Sequence, residues 1–269
     1  TFIKTNYFEG FNSNLQLGIA YRKDCVEISS YSTLFENNSY PFAYRPPFRA
    51  DFIWSCGEET KPFQIINLHF KCCDDGFERR LEASEILLSY IEDEVEQNNL
   101  VNIVVIGDFN DSLDDPQNNN SLWPLVDSDD IYFVDNDISN GSSQNWSYPS
   151  WPSHIDHILI NQNLFDEYEN SSVSTIKIDN YTGYNYYQNN ISDHRPVLWE
   201  FIINDQVFPS GLVINEIMNN PSVVNDSNEE WFEIINIGDD LIDLYTKFSG
   251  DYIKSNRIFR NIMEKKGYK

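Results

Sequence analysis

Asn102-Ile103-Val104-Val105-Ile106-Gly107-Asp108-Phe109-Asn110-Asp111 is the stretch on which the reading of this chain turns. Its first half is a β-branched, apolar run of strand length. Its second half is a polar Gly-Asp-Phe-Asn-Asp block at the strand end, followed by a polar loop over residues 111–120. Just upstream, residues 76–97 predict a helix. Phe77, Leu81, Leu88, Ile91 and Val95 recur there at helical spacing, with Glu82, Glu85, Glu92 and Glu96 on the solvated side. Further out, residues 17–21, 48–54, 63–70, 154–160 and 195–203 read as strands bounded by turn residues. Many strands with few helices predict an α+β fold, β-sheets packed together and flanked by helices.

Composition bounds the function. The 269 residues hold 43 Asp and Glu against 18 Lys and Arg, for a net charge of -25. An apolar share of 41% is enough for a folded core. No apolar run approaches the roughly 20 residues of a membrane helix, so no membrane span is expected. The acidity excludes a basic coat for sequence-independent nucleic-acid binding. It does not exclude a local phosphate site served by a metal ion. The charge is also uneven. Residues 1–204 carry 11 basic and 32 acidic residues, 205–246 no basic and 9 acidic, and 247–269 7 basic and 2 acidic. Three regimes imply three segments, with a Pro- and Gly-containing linker at 205–211.

The chain opens with Thr1-Phe2-Ile3-Lys4, with neither Met nor a signal-peptide pattern, which predicts a processed or partial chain. Its cysteines are Cys25, Cys56, Cys72 and Cys73. The acidic, Asn-rich, Lys-poor composition points to export, hence an extracellular or cell-surface location. In that setting one of the adjacent pair, Cys72 or Cys73, is expected to bond Cys25 or Cys56.

All 4 histidines fall in short blocks: Asn67-Leu68-His69-Phe70-Lys71, Ser153-His154-Ile155-Asp156-His157 and Ser192-Asp193-His194-Arg195-Pro196. With Gly107-Asp108-Phe109-Asn110-Asp111, each block sits at the edge of a predicted strand, where side chains can converge rigidly. Asp, Asn and His without a Cys quartet favour a hard cation such as Mg2+. A metal ion stabilises phosphoryl charge, a His moves a proton, and a carboxylate behind it fixes its tautomer. Asp156 and His194 could form that pair. His157 reads as structural, because strand alternation turns it away from Asp156. Singly, each block is an ordinary turn or core histidine. Their co-occurrence in order carries the functional reading. A zinc site from His69, Cys72 and Cys73 is disfavoured by the poor chelate geometry of adjacent cysteines.

Together these blocks resemble the endonuclease/exonuclease/phosphatase family, with its deoxyribonuclease-I-like fold, over residues 17–203. The resemblance implies two β-sheets packed face to face with helices outside, and phosphoester hydrolysis with Mg2+ (or Mn2+ or Ca2+). It implies that His69 is a general acid or phosphate contact, and that Asp108 orients or activates water. Asn110 would hold a phosphate oxygen, Asp156 would pair with His194 as the catalytic imidazole, and Asp193 would reach the metal. Candidate substrate contacts are Arg45, Arg49, Lys71, Trp151 and His154, with Trp146 and Tyr148 available for stacking and Arg79, Arg80 and Arg195 as further cations. The family's opening strands, one with an Asn and one with a metal-binding Glu, are not found ahead of residue 17. Glu9 lacks the apolar strand expected before it.

Residues 212–246 resemble the start of a lamin-tail domain, an immunoglobulin-like β-sandwich. The resemblance rests on Leu212-Val213-Ile214-Asn215-Glu216-Ile217-Met218 and on Glu230-Trp231-Phe232-Glu233-Ile234-Ile235-Asn236. Residues 247–269 match neither part. The expected activity is that of an extracellular nuclease with DNA or RNA as substrate and no protein partner. The competing readings are a phosphomonoesterase, a phospholipid or inositol-phosphate hydrolase, and a non-catalytic surface module. Residues 148–159 partly resemble an inositol-polyphosphate phosphatase block, but the spacing from Trp151 to Asp156 departs from it.

Overall fold

In a computed structural model of the chain, residues 1–5, 16–56, 59–98, 100–202, 212–218 and 231–236 are described. In chain order the elements are β1 (Phe2–Lys4), β2 (Gly18–Ala20), β3 (Val26–Thr33), β4 (Phe48–Cys56), β5 (Glu59–His69), α1 (Phe77–Gln97), β6 (Ile103–Asp108), α2 (Trp123–Val126), β7 (Ile131–Phe133), α3 (Asn136–Ser139) and β8 (Asp156–Asn161). Then come α4 (Phe165–Glu169), β9 (Ser172–Thr175), α5 (Asp179–Thr182), α6 (Tyr184–Asn190), β10 (Val197–Glu200), β11 (Leu212–Met218) and β12 (Trp231–Asn236). The chain divides into two compact units, Thr1–Asn204 and Asp205–Lys269.

In the first unit, the apolar run of β6 lies inside a six-stranded sheet of order β3-β4-β5-β6-β8-β7. Only β5 and β6 are parallel, and α1 is their crossover. Alternation sorts the side chains. Ile66, Leu68, Ile103, Val105 and Leu159 share one core with Ala83, Leu87 and Ile91 of α1. On the other face Val104, Ile158 and Ile160 share a core with Ile19 of β2, Val173 of β9 and Val197 and Trp199 of β10. The second β-layer consists of two two-stranded sheets, β1-β2 and β10-β9. The expected α+β architecture of packed sheets with helices outside is therefore present.

Helix α1 is rotated slightly from its sequence-based phase. Its buried stripe is Arg80, Ala83, Ser84, Leu87 and Ile91, while Leu81 and Leu88 sit half-buried at its flanks. Small Ala83 and Ser84 let the helix approach the sheet closely, and the bulkier leucines fill the sides. The four glutamates named above are exposed. Strands β1, β3, β7 and β9 differ from the sequence expectation, which has no strand at these positions. β3 is a polar edge strand, while β1, β7 and β9 are only 3, 3 and 4 residues long, too short to show a period.

In the second unit, β11 and β12 pair antiparallel with a register irregularity between Ile214 and Glu216. The linker at 205–211, the rest of the lamin-tail-like stretch, the tail at 247–269 and Glu9 lie outside the described residues. Among those described, no helix is long and apolar enough to cross a membrane. Cys25, Cys72 and Cys73 are free thiols, so the expected bond from the adjacent pair to Cys25 is not formed.

Candidate active site

Three of the expected residues are neighbours across three strands. His69 ends β5 and is in register with Asp108, which ends β6, and Asp108 is in register with Asp156, which opens β8. All lie on the sheet face away from α1, because each keeps the parity of the residues packed there. The sheet brings β5 and β6 together tightly at this end. Gly107 has φ 141°, and a Cβ there would meet the Leu68 carbonyl oxygen at 2.0 Å. Phe109 then plunges into the opposite core, fully buried. Asn110 turns the chain at φ 54°, its N–H donating to Asp108 Oδ1 at 2.9 Å and its Nδ2 to the Phe70 carbonyl at 3.2 Å.

His194 arrives from the loop before β10, and its Nδ1 donates to Asp156 Oδ2 at 2.7 Å. The ring lies against Tyr148 at a centroid distance of 4.7 Å, tilted by 30°. Burial opposes charging this imidazole. Its hydrogen bond to Asp156, with the nearby charges of Asp156, Asp108 and Asp193, outweighs that cost and raises its pKa above the usual value. Burial, then repulsion from Asp156, pushes the Asp108 carboxyl up to about 7. Burial and the adjacent Arg45 guanidinium pull His69 down to about 4, so its ring is neutral at pH 7. Arg45 Nη1 lies 3.1 Å from its Nδ1 and 3.2 Å from its Nε2, and Nε2 is 3.3 Å from Asp108 Oδ2. A neutral ring is a poor general acid.

Ligand atoms of Asp108, Asp156 and His194 lie within 4.8 Å of one another. Paired carboxylates, one with its pKa raised by the other, fit a hard divalent cation, whose charge would relieve that repulsion. Among the described residues this group does not include Asp193, which is exposed beside His194.

No family profile matches the chain. No curated protein sequence matches it either. Solved structures do. Danio rerio TDP2 superposes with a TM-score of 0.52 at 14% identity, covering 75% of this chain and 76% of that one. Truncated Caenorhabditis elegans TDP2 gives 0.52 at 11% identity, covering 75% of each. A mannosyl-6-phosphatase of Bacteroides thetaiotaomicron gives 0.51 at 16%, covering 75% and 76%. The fold is deoxyribonuclease-I-like.

Within this deoxyribonuclease-I-like fold, the expected substrate contacts divide. Arg45 is at the site, against His69 and donating to the Phe70 carbonyl at 2.8 Å. Lys71 follows directly after Phe70 and pairs with Asp75 at 3.1 Å. Trp151 is 78% exposed at the tip of the Tyr148–Ser153 bridged turn, whose Tyr148 covers His194. Arg49 does not belong to the site. It lies on the α1 face, paired with Asp51 at 3.0 Å and donating to Tyr90 at 2.9 Å, because β4 alternates it away. His154 does not contact the cleft either. It is fully buried, with Nε2 on Asp135 at 2.9 Å and Nδ1 accepting from the Ser147 N–H at 3.2 Å. Of the other cations, Arg79 stacks over Tyr40, Arg80 is buried beside Asp111, and Arg195 pairs with Asp179 at 2.6 Å.

Two buried residues that brace the strand behind the site escaped the sequence. Buried Ser147 accepts from the Ile155 and Asp156 N–H groups through its hydroxyl, fixing the start of β8. Buried Asp135 accepts from both His154 and His157 and from the Ile158 N–H. No local pattern marks either, since their partners are distant in sequence. His157 behaves as alternation predicts, facing the other core beside Phe109 and Phe133.

Proposed function

We propose that the first unit is a divalent-metal-dependent phosphoesterase that hydrolyses phosphodiester bonds in single-stranded DNA or RNA outside the cell. The observation that carries this is the convergence of Asp108, Asp156 and His194 on one sheet edge, with His69 and Asn110 beside them. Asp108 and Asp156 would hold Mg2+ (or Mn2+ or Ca2+), which when bound supplies Lewis-acid charge to a phosphoryl oxygen. His194, committed to Asp156 through Nδ1, keeps Nε2 for a phosphoryl or leaving-group oxygen. Asp108, on the same sheet edge, would also orient the attacking water beside the ion. His69 and Asn110 orient Asp108, and Arg45 provides positive charge at the rim. Export remains supported by composition alone.

The structural neighbour from Danio rerio is complexed with a single-strand DNA product, which favours a nucleic-acid strand here. Exposed Trp151 offers a stacking surface for a base. Arg49, Arg80 and Arg195 are bound internally, so few cations remain for a duplex. That same scarcity favours a second reading, a small phosphomonoester, the chemistry named for the Bacteroides neighbour. The test is a substrate panel: single-stranded oligonucleotide, plasmid duplex, sugar phosphate and inositol phosphate, each with Mg2+, Mn2+ or Ca2+ and with EDTA. Metal-dependent cleavage of the oligonucleotide, abolished by EDTA, is expected. Faster release of phosphate from the monoesters would replace the first reading with the second. Turnover of none of them would overturn both.

A further inference from the structure

Cys72 and Cys73 follow the end of β5 and have no role in the proposed hydrolysis. Their Sγ atoms lie 2.7 Å apart, the Cys73 thiol donating to Cys72. Both are exposed. Adjacent Cα atoms across a trans peptide are about 3.8 Å apart, below the roughly 4.4–6.8 Å of ordinary disulfides. Neighbouring cysteines therefore face each other only where the backbone is already distorted. Here it is, since Cys73 has φ 71°, in the left-handed region that side-chain-bearing residues rarely adopt.

The rest of the fold holds this turn. The buried Arg80 guanidinium donates through Nη1 to the Lys71 and Cys73 carbonyls, each at 2.9 Å. The Gly76 N–H donates to the Cys73 carbonyl at 2.9 Å, and a Cβ on Gly76 would meet the Lys71 carbonyl at 2.7 Å. Arg80 is in turn fixed by Ser121 Oγ at 3.0 Å and Asp111 at 3.4 Å. Lys71 Nζ donates to the Cys72 carbonyl at 3.0 Å and lies 3.9 Å from Cys72 Sγ. The hydrogen bond to Cys72 raises the Cys73 pKa, which marks Cys73 as the donor and Cys72 as the acceptor.

We propose that Cys72 and Cys73 are a vicinal dithiol that closes to a disulfide on exchange with a low-molecular-weight disulfide. The Cys72 thiolate attacks a sulfur of the disulfide RSSR, its S–S bond breaks, and one RS⁻ leaves, giving a Cys72 mixed disulfide. The Cys73 thiolate then attacks Cys72 Sγ and expels the second RS⁻. The two cysteines lose two protons and two electrons, and RSSR becomes two RSH.

The experiment treats the folded protein with oxidised glutathione, quenches with acid, alkylates, and digests with trypsin. Cleavage after Lys71 and Arg79 places both cysteines in one peptide, residues 72–79. That peptide is expected two hydrogens lighter, unalkylated and free of glutathione, with closure at least roughly tenfold faster than in the urea-unfolded chain. Cys73→Ser is expected to retain glutathione on Cys72, and Cys72→Ser on Cys73. A persistent glutathione adduct on the wild-type peptide, full alkylation of both cysteines, or equal closure rates folded and unfolded would overturn the proposal.

Discussion

Asp156 Oδ2 accepts from His194 Nδ1 at 2.7 Å, although the two residues belong to different β-layers. Asp156 opens β8 in the six-stranded sheet, and His194 precedes β10 in the small sheet packed over it. The pair fixes one tautomer, with Nε2 pointing to the cleft. On the phosphoesterase reading, His194→Ala should lower kcat about 10²–10⁴-fold, the usual worth of a positioned acid or base. Unchanged steady-state kinetics on the substrate identified by the panel would remove His194 from the mechanism.

The buried Asp135–His157 pair sets a pH dependence of stability. His157 Nδ1 donates to Asp135 at 2.6 Å, and Nε2 lies 3.0 Å from the Asp111 carbonyl, which can only accept. Both ring nitrogens therefore carry protons and the ring is an imidazolium. Although burial opposes its charge, Asp135 raises the His157 pKa above 6.5. Burial likewise opposes ionising Asp135, but His157 and His154 hold its carboxyl well below 3.8. The histidine's contribution is complete below 6.5 and fades as pH rises through its folded pKa. The aspartate's is complete above 3.8 and fades as pH falls through its own. The pair is thus worth most between those limits. Thermal melts across alkaline pH should show wild type losing more stability than His157→Gln. Asp135→Asn should cost about 3–5 kcal/mol by stranding a buried charge. Parallel pH curves for wild type and His157→Gln would contradict the imidazolium.

Gly107→Ala tests the close approach that shapes the site. The added methyl would overlap the Leu68 carbonyl, and φ 141° is costly for any L side chain. A loss of about 3 kcal/mol or more is expected by chemical denaturation. A loss below 1 kcal/mol would mean that β5 and β6 separate easily here.

Trp151→Ala should leave the melting temperature unchanged, since the side chain is 78% exposed. Binding of a single-stranded oligonucleotide, read by fluorescence anisotropy, should weaken about five- to hundred-fold if one base stacks on it. Unaltered affinity would argue that the turn holds Tyr148 over His194 and touches no base.

Much of the fold was legible locally. The β6 run, the α1 period and the blocks at strand ends each express a pattern carried by neighbouring residues. The parity rule placed His157 correctly on the face opposite Asp156. The same rule, once register is known, removes Arg49 from the site, but register is not a local property. Nor could local pattern reveal that His154 is sealed against Asp135, because the carboxylate comes 19 residues earlier, outside any motif.

The sequence by itself determined which chemistry is available: carboxylates, amides and imidazoles at strand ends, in an acidic chain with few free cations. Tertiary structure decided which of them meet. Pairing of β5, β6 and β8 puts His69, Asp108 and Asp156 side by side, and the packed second layer delivers His194. That juxtaposition sets the charges, since burial and a neighbouring carboxylate raise Asp108 while burial and Arg45 lower His69. Desolvation and Coulomb interaction depend on distance in space, and distance along the chain does not reveal them.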